Sequence, residues 1–596
     1  MEVDRESVKL SLDNELIKTA CNLSMEAHRS QHDDVVTSSM PSVAIFAFKS
    51  SMKVDGMYND GPFGETNVDL QLFPSLQRIG EGQLAKVNGS ILHIFKNLLT
   101  DSCFKSEVEK AIKEEKKILL TGYSFGGAVA SLATMWMLDE YIRKQKIRLP
   151  IGCVTFGCPL IGDRIVTHAV QREKWSGHFT HFVMERDIVP RMMLAPKTSN
   201  FLKKNTRTHH DLLVDEDQAE GFFENVLINA STVASHDAFD LMEPTNSIKE
   251  TLSAEFVKFS PYRPFGAYVF CTRKPRQQLV VENPNAVLQL LFYLLQLPNK
   301  DQNLAQFALE SLTQHLSYEE ELNINGLQLD INKMVYLKHL NKHLLTTDGD
   351  KVRNSNKALF ELTADAKWCL LAVEEAEKRK EKNMDQLKKY MRYYKSSKIN
   401  DMTKIIEDLC DKIPKYKEKC GDRELDYYEA FKLNNEQQDF EVNVDRLEQA
   451  KIWDVIIEMV RRQELPDEFE VWDELVALGT RFRRLYEPLD IANYYRHSKG
   501  DSYMDNRPKR YKFTQRWHEH ASVMGFEVVS ESNFVAVVED LMKEVITPTK
   551  KTFEEVKKDY ECIENKVKTW KYDEKITNED VFWGEFILAK LKEKLA

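Results

Sequence analysis

Nowhere in its 596 residues does this chain string together the apolar run of about 18 residues that a membrane-crossing helix requires. A transmembrane segment is therefore not expected. The chain also lacks a surplus of positive charge. Its formal net charge is -11, which argues against general binding to nucleic acid or anionic membranes and leaves room only for local basic patches. The nine cysteines are scattered and odd in number, and none forms a C-x-x-C pair. That excludes a dense disulfide framework and predicts reduced thiols in the cytoplasm or nucleus, with no metal site and no cofactor. The first residues, Met1-Glu2-Val3-Asp4-Arg5-Glu6, are acidic and carry no apolar signal core, so a secretory leader is not expected. Internal repeats and low-complexity tracts are missing too.

What is present suits soluble globular domains: 42% hydrophobic and 30% charged residues over a length that implies roughly two to four cores. The first half alternates strands and helices. Leu12, Leu16, Ile17, Cys21 and Met25 recur at helical spacing. Val43–Phe48 is a continuous apolar run, as a strand buried on both faces should be, and Ile151–Phe156 reads as another buried strand. His178–Val183 reads as a further strand, and Phe265–Thr272 with Gln278–Glu282 as a hairpin around Pro275. Strands alternating with helices predict a mostly parallel sheet covered on both faces. From about Ser355 the pattern is almost wholly helical, with few glycines and many charges. Ile452, Val455, Ile456 and Met459 make one predicted stripe, and Trp583, Ile587 and Leu591 another. The expected organisation is an α/β-hydrolase, lipase-like domain over residues 1–365 and an all-α helical bundle over residues 366–596.

The apolar run Lys117–Thr121 leads into Gly122-Tyr123-Ser124-Phe125-Gly126, and a helix rich in small residues follows. A G-x-S-x-G turn between a buried strand and such a helix is the nucleophile elbow of the α/β-hydrolases. The chemistry then needs a base beside Ser124 and an acid to orient that base, in the chain order Ser, Asp, His. Asp187 follows a buried strand by a few residues, where the sheet's C-terminal edge presents side chains near the elbow. For the base, chain order leaves His236 and His315 nearly equal, with His209 and His210 in a polar loop. The oxyanion hole needs two backbone N–H groups, one from Phe125 and one from Lys49-Ser50-Ser51.

These motifs resemble the plant lipase-like immune regulators, the Enhanced Disease Susceptibility, Phytoalexin Deficient and Senescence-Associated proteins. The resemblance rests on Cys153–Gly157, Arg172-Glu173-Lys174-Trp175, Asp187-Ile188-Val189-Pro190-Arg191 and Ser260-Pro261-Tyr262-Arg263-Pro264. In the second half it rests on Leu465–Glu470, Glu487–His497 and Arg507–Tyr511. Among the three branches the chain looks most like Enhanced Disease Susceptibility. The resemblance favours His315, which precedes Ser317-Tyr318-Glu319-Glu320. The elbow departs from the family at Tyr123 and Phe125, and the loop Lys499–Asn506 is shorter than the family's.

The resemblance implies signalling rather than lipolysis. Such proteins form a heterodimer with a Phytoalexin Deficient or Senescence-Associated member, and paired helical domains enclose a cavity for NAD-derived, ADP-ribose-type nucleotide messengers. The loaded dimer engages helper nucleotide-binding leucine-rich-repeat receptors, and the serine triad persists without being needed. Phosphates need Arg or Lys and adenine needs aromatic surfaces. The matching residues here are Tyr494, Arg496, His497, Lys499 and Arg510, with Phe431. Ile248, Leu252 and Phe256 recur every four residues beside Val257. A stripe of this kind usually faces its own core, but the family uses a helix here to fill a groove on the partner. The alternative reading is an ordinary serine acyl hydrolase, an esterase or lipase using Ser124, Asp187 and His315.

Overall fold

The computed structural model describes residues 9–30, 34–49, 58, 62–196, 226, 233, 260–273, 276–294, 304–323, 335–336, 364–392, 402–497, 502–522, 536, 539–540, 557–558, 561–562, 564–565 and 568–569. His209, His210, His236, the Ile248–Val257 segment, Lys499 and the Trp583–Leu591 stripe lie outside the described residues.

A single sheet organises the first half. Its strands are β1 (Val35–Ser39), β2 (Val43–Phe48), β3 (Lys117–Tyr123), β4 (Ile151–Phe156), β5 (Phe179–Met184), β6 (Ala267–Arg273), β7 (Arg276–Val281) and β8 (Val335–Tyr336). They lie side by side in chain order. Strands β2 to β6 are mutually parallel, and antiparallel β1 and the β6–β7 hairpin flank them. The hairpin matches the sequence expectation, with its bounds moved by a residue or two. All six residues of β2 and of β4 are buried, because the sheet is covered on both faces. Ala44, Phe46, Phe48, Ile118 and Leu120 point into one core, and Val43, Ile45 and Leu119 into the other.

Helix α1 (Asn14–Arg29) starts where the Asp13 side chain accepts the Leu16 N–H at 2.8 Å, and it brings Leu16, Ile17, Ala20 and Cys21 to the second core. Helix α2 (Phe125–Met137) covers the first face, and all thirteen of its residues are buried. Its small residues allow that close approach. A Cβ on Gly126 would stand 2.2 Å from the Phe48 carbonyl oxygen, and one on Gly122 would stand 2.2 Å from the Gly126 carbonyl carbon. After the hairpin come a helix at Pro284–Tyr293 and then α3 (Leu304–His315).

The chain divides into two compact units: Met1–Arg78 with Gly82–Arg379, and Ile79–Glu81 with Lys380–Ala596. This division at 379/380 and the 365/366 of the sequence reading both fall within the charged helix α4 (Ala364–Arg392).

The described part of the second unit contains α5 (Met402–Gly421), α6 (Tyr427–Leu433), α7 (Gln437–Arg461), α8 (Asp473–His497) and α9 (Lys509–Ala521). At its centre the Phe482 ring stacks on Trp453 at 5.1 Å and on Tyr511 at 5.2 Å. Gly479 permits this packing, since its Cβ would meet Thr514 at 2.8 Å. One expectation is corrected. Of the predicted α7 stripe, Ile452 and Ile456 are buried, but Val455 is 47% exposed. Val455 sits about 100° around the helix from Ile456 and has turned out of the core face.

Among the described residues no helix is long and apolar enough to cross a membrane, and the eight cysteines whose side chains are described are free.

Candidate functional site

Ser124 stands between β3 and α2 with φ 53° and ψ -128°, a conformation that L residues rarely adopt and that elbows impose. Its N–H donates to the Phe156 carbonyl at 2.8 Å, and its carbonyl accepts from Gly127 N–H at 3.0 Å. The residue is 2% exposed. Asp187 follows the end of β5, and His315 ends α3. His315 Nδ1 lies 2.9 Å from Asp187 Oδ2, and both side chains are fully buried.

Asp187 is held from every side. Tyr318 donates its hydroxyl to the same Oδ2 at 2.7 Å and accepts from Met184 N–H at 2.9 Å. Val189 N–H donates to Oδ1 at 2.9 Å. The Arg191 guanidinium donates to the carbonyls of Asp187, Glu185 and Leu291. Burial pushes that guanidinium down to about 10, against the opposing pull of Asp187. Burial first, and then the Asp187 charge, hold the Tyr318 phenol far above its ordinary range, so it stays a proton donor to the carboxylate. The imidazole is braced as well. The Tyr123 ring stacks on it at 4.7 Å, and the Tyr123 hydroxyl donates to the His315 carbonyl at 3.0 Å. Gly157, at φ +61°, completes the fit. A Cβ there would lie 2.7 Å from Asp187 Oδ2 and from two atoms of the His315 ring.

The relay stops short of the nucleophile. Ser124 Oγ and His315 Nε2 are both buried, and neither has a hydrogen-bond partner among the described residues, so the serine–imidazole bond is not made. The Phe125 N–H opens α2, where first-turn donors have no partner within the helix. Lys49 N–H donates to the Asp34 carbonyl at 2.9 Å and is committed there, and Ser50 and Ser51 lie outside the described residues.

The second set of candidate residues lies on α6, α8 and α9. Asp490, Tyr494 and His497 occupy one face of α8, and about 10 Å of helix separates the first from the last. Arg510 on α9 donates to Asp490 Oδ2 at 2.8 Å and to both oxygens of Asp454 at 3.1 and 3.0 Å. Its guanidinium lies 5.0 Å over the Tyr511 ring. Burial works against its charge, but Tyr511, Asp490 and Asp454 outweigh burial and hold the guanidinium above its ordinary range. Asp490 also accepts from Arg446 and from the Tyr511 hydroxyl.

Arg496 donates to His497 Nε2 at 3.2 Å and to the Phe431 carbonyl at 3.1 Å, and its guanidinium lies 5.7 Å over the Phe431 ring. Phe431 itself is a fully buried core residue. The Tyr494 hydroxyl donates to the Ser502 carbonyl at 3.4 Å and accepts from Asn506 at 3.2 Å. Arg507, part of the same basic run, is buried and tied to both Glu487 oxygens at 2.6 and 2.9 Å.

Reasoning from the sequence did not assign roles to Tyr318, Gly157 or Arg191, although each stands inside or beside a motif it had singled out. The signal was there in the Ser-Tyr-Glu-Glu run, the end of Cys153–Gly157 and the end of Asp187–Arg191. What was missing was the convergence of the three on one carboxylate.

Comparison with known proteins adds to this geometry. A family model described as the Enhanced disease susceptibility 1 protein EP domain matches residues 411–593, and one described as Lipase (class 3) matches residues 26–197. The chain is 36% identical over 508 residues to Protein EDS1L of Arabidopsis thaliana, covering 83% of this chain and 77% of that protein. It is 34% identical over 580 residues to Protein EDS1 of the same plant, covering 91% and 89%. It is 25% identical over 467 residues to Lipase-like PAD4, also of Arabidopsis thaliana, covering 76% and 67%.

Proposed function

The chain belongs to the Enhanced disease susceptibility 1 family of lipase-like plant defence proteins, and we propose that it works there as a signalling adaptor rather than as a lipase. In this reading it pairs with a related lipase-like protein of the Phytoalexin Deficient or Senescence-Associated kind. It takes up an ADP-ribose-type nucleotide on its helical unit and engages helper nucleotide-binding leucine-rich-repeat receptors in the cytoplasm and nucleus.

One observation carries the reading: Ser124 Oγ and His315 Nε2 are buried and have no hydrogen-bond partner among the described residues, so the proton relay ends one step before the nucleophile. Acyl transfer needs that step, because the serine is a weak nucleophile until a base takes its proton. The messenger reading has support of its own. Asp490 is nearly buried, whereas the Asp454 side chain is 54% exposed. A phosphate can therefore displace Asp454 from Arg510 while Asp490 keeps the guanidinium aimed. Arg496 and His497, joined by a hydrogen bond farther along α8, offer a second cationic contact.

The test is a pair of variants in plant cells lacking the endogenous protein. Ser124→Ala retains the cell-death response. Arg510→Ala loses it while still co-purifying with the lipase-like partner. A normal response from Arg510→Ala removes the nucleotide assignment.

The short His315–Asp187 contact and the elbow geometry favour a second reading, a serine acyl hydrolase. Stoichiometric labelling by a fluorophosphonate probe, abolished in Ser124→Ala, is the outcome that selects it.

A further inference from the structure

Helix α7 is apolar on two opposite sides. Val442, Trp453, Ile456 and Ile457 face the core of the helical unit. About 160° around the helix stand Phe440, Val444, Leu447 and Val455, exposed by 55%, 48%, 54% and 47%. Their spacing of four, three and eight residues keeps them within an arc of about 80°, a ridge of four turns some 22 Å long. An outer face of a surface helix is ordinarily polar, and this one departs from that at Phe440, Val444 and Leu447 over two turns, with Val455 one turn beyond the exposed Lys451.

The charges along the ridge indicate what covers it. Glu441 and Glu448 are exposed at i and i+7 along one edge, and neither has an ion-pair partner among the described residues. On the other edge the nearest charge is Asp454, held by Arg510. Lys451 is the ridge's own cation, between Leu447 and Val455. A second copy of this chain fits poorly. Antiparallel self-pairing about the middle of the ridge brings Glu448 toward Glu448 of the copy, and parallel self-pairing turns the Glu441/Glu448 edge toward the edge that carries Asp454 in the copy. Like charges so placed oppose association.

We propose that the outer ridge of α7, Phe440–Val444–Leu447–Val455 with its Glu441/Glu448 edge, docks an amphipathic helix of another protein whose apolar stripe is flanked by Lys or Arg. The mode is helix against helix, with the apolar anchors giving affinity and the acidic edge choosing the partner. The inference goes beyond the preceding proposal, because the ridge needs neither the nucleotide nor Arg510.

The experiment uses the purified full-length chain and two fluorescein-labelled peptides of about 18 residues, long enough to hold a helix. Both carry Leu at heptad positions a and d. One has Lys at e and g, and the other has Glu. Anisotropy titration is expected to show the Lys peptide binding about tenfold more tightly, the worth of two exposed charge pairs. Leu447→Arg and Val444→Asp are expected to weaken it at least about tenfold with unchanged melting temperature, since both positions are exposed. Glu441→Lys with Glu448→Lys inverts the preference toward the Glu peptide. Equal binding of the two peptides overturns the proposal, as does binding unchanged by Leu447→Arg. So does light scattering that shows a dimer of this chain abolished by Leu447→Arg, because the ridge would then belong to a second copy. Arg510→Ala binds the Lys peptide normally whether or not the nucleotide reading holds.

Discussion

Tyr318 and His315 share one oxygen of Asp187: the phenol donates to Oδ2 at 2.7 Å and the imidazole Nδ1 lies 2.9 Å from the same atom. The carboxylate is thus anchored by a group with no part in proton transfer, and it serves the architecture of the α3 end as much as any chemistry. Tyr318→Phe leaves the Met184 N–H without its acceptor and removes one donor from Asp187. Each loss is of a buried hydrogen bond, so equilibrium urea unfolding should show a cost of about 1–3 kcal/mol. Immune signalling in the same variant should remain intact. Strong loss of signalling at wild-type stability would give the triad a role the adaptor reading denies it.

Gly157→Ala tests the fit between that carboxylate and the imidazole. The position has φ +61°, and a Cβ would press on Asp187 and His315 at 2.7 Å. Backbone strain and overpacking act together, each worth about 1–3 kcal/mol. A thermal melt is the direct check, and a melting temperature within a degree of wild type would contradict the packing described.

Asp139 supplies a pH dependence with a definite sign. It is fully buried and accepts from Ser75 Oγ at 2.5 Å and from Ser75 N–H at 3.2 Å, with Arg143 at 3.6 Å. Burial nevertheless wins and pushes the carboxyl up to about 6 from 3.8. The folded state therefore binds the proton more tightly than the unfolded state. The group's stabilisation is complete below about pH 4 and is lost as the pH rises through about 6. A two-unit rise corresponds to about 3 kcal/mol. Comparing urea midpoints of wild type and Asp139→Asn across pH 4 to 7 isolates the effect, and the wild type should fall relative to the variant over that window. Parallel curves would mean that the carboxyl titrates normally.

Arg510→Ala carries a structural cost that must be read alongside its signalling. Asp490 keeps Arg446 and the Tyr511 hydroxyl but loses one charged donor in a nearly buried place. A loss of about 1–3 kcal/mol follows from leaving that acceptor under-satisfied. Asp454→Ala, by contrast, removes only the exposed partner. It should leave stability within about 0.5 kcal/mol and tighten nucleotide binding measured by calorimetry, since the phosphate no longer competes with a carboxylate. Weaker binding in Asp454→Ala would mean that the aspartate helps hold the ligand.

The two halves were legible to different depths. Buried strands announce themselves when a run is wholly apolar, as in Val43–Phe48, or nearly so, as in Ile151–Phe156 with its single Thr155, so the sheet could be read from local pattern. The elbow was legible because Gly122 and Gly126 occupy positions where a Cβ has no room. Helix α7 was read less well. Its residues are apolar on two sides, so periodicity alone merged Val455 with Ile452 and Ile456, although one faces outward and two face inward. The basic run near Arg507 and Arg510 was visible as composition only. Composition does not separate a guanidinium sealed against Glu487 from one clasped between an exposed and a buried aspartate.

By itself the amino-acid order determined the alternation of strands and helices, the strained turn at Ser124, the change to helix in the second half and the family, because each of these is written in spacing, in residue size or in short contiguous motifs. Only the tertiary structure decided which ring sits on Asp187, that Tyr318 shares its oxygen, that the serine and imidazole are unbonded, and which cations are already paired. Those outcomes depend on side chains from separate elements meeting at hydrogen-bond distance, 128 residues apart for His315 and Asp187 and 56 apart for Arg510 and Asp454, and no local pattern encodes a distance.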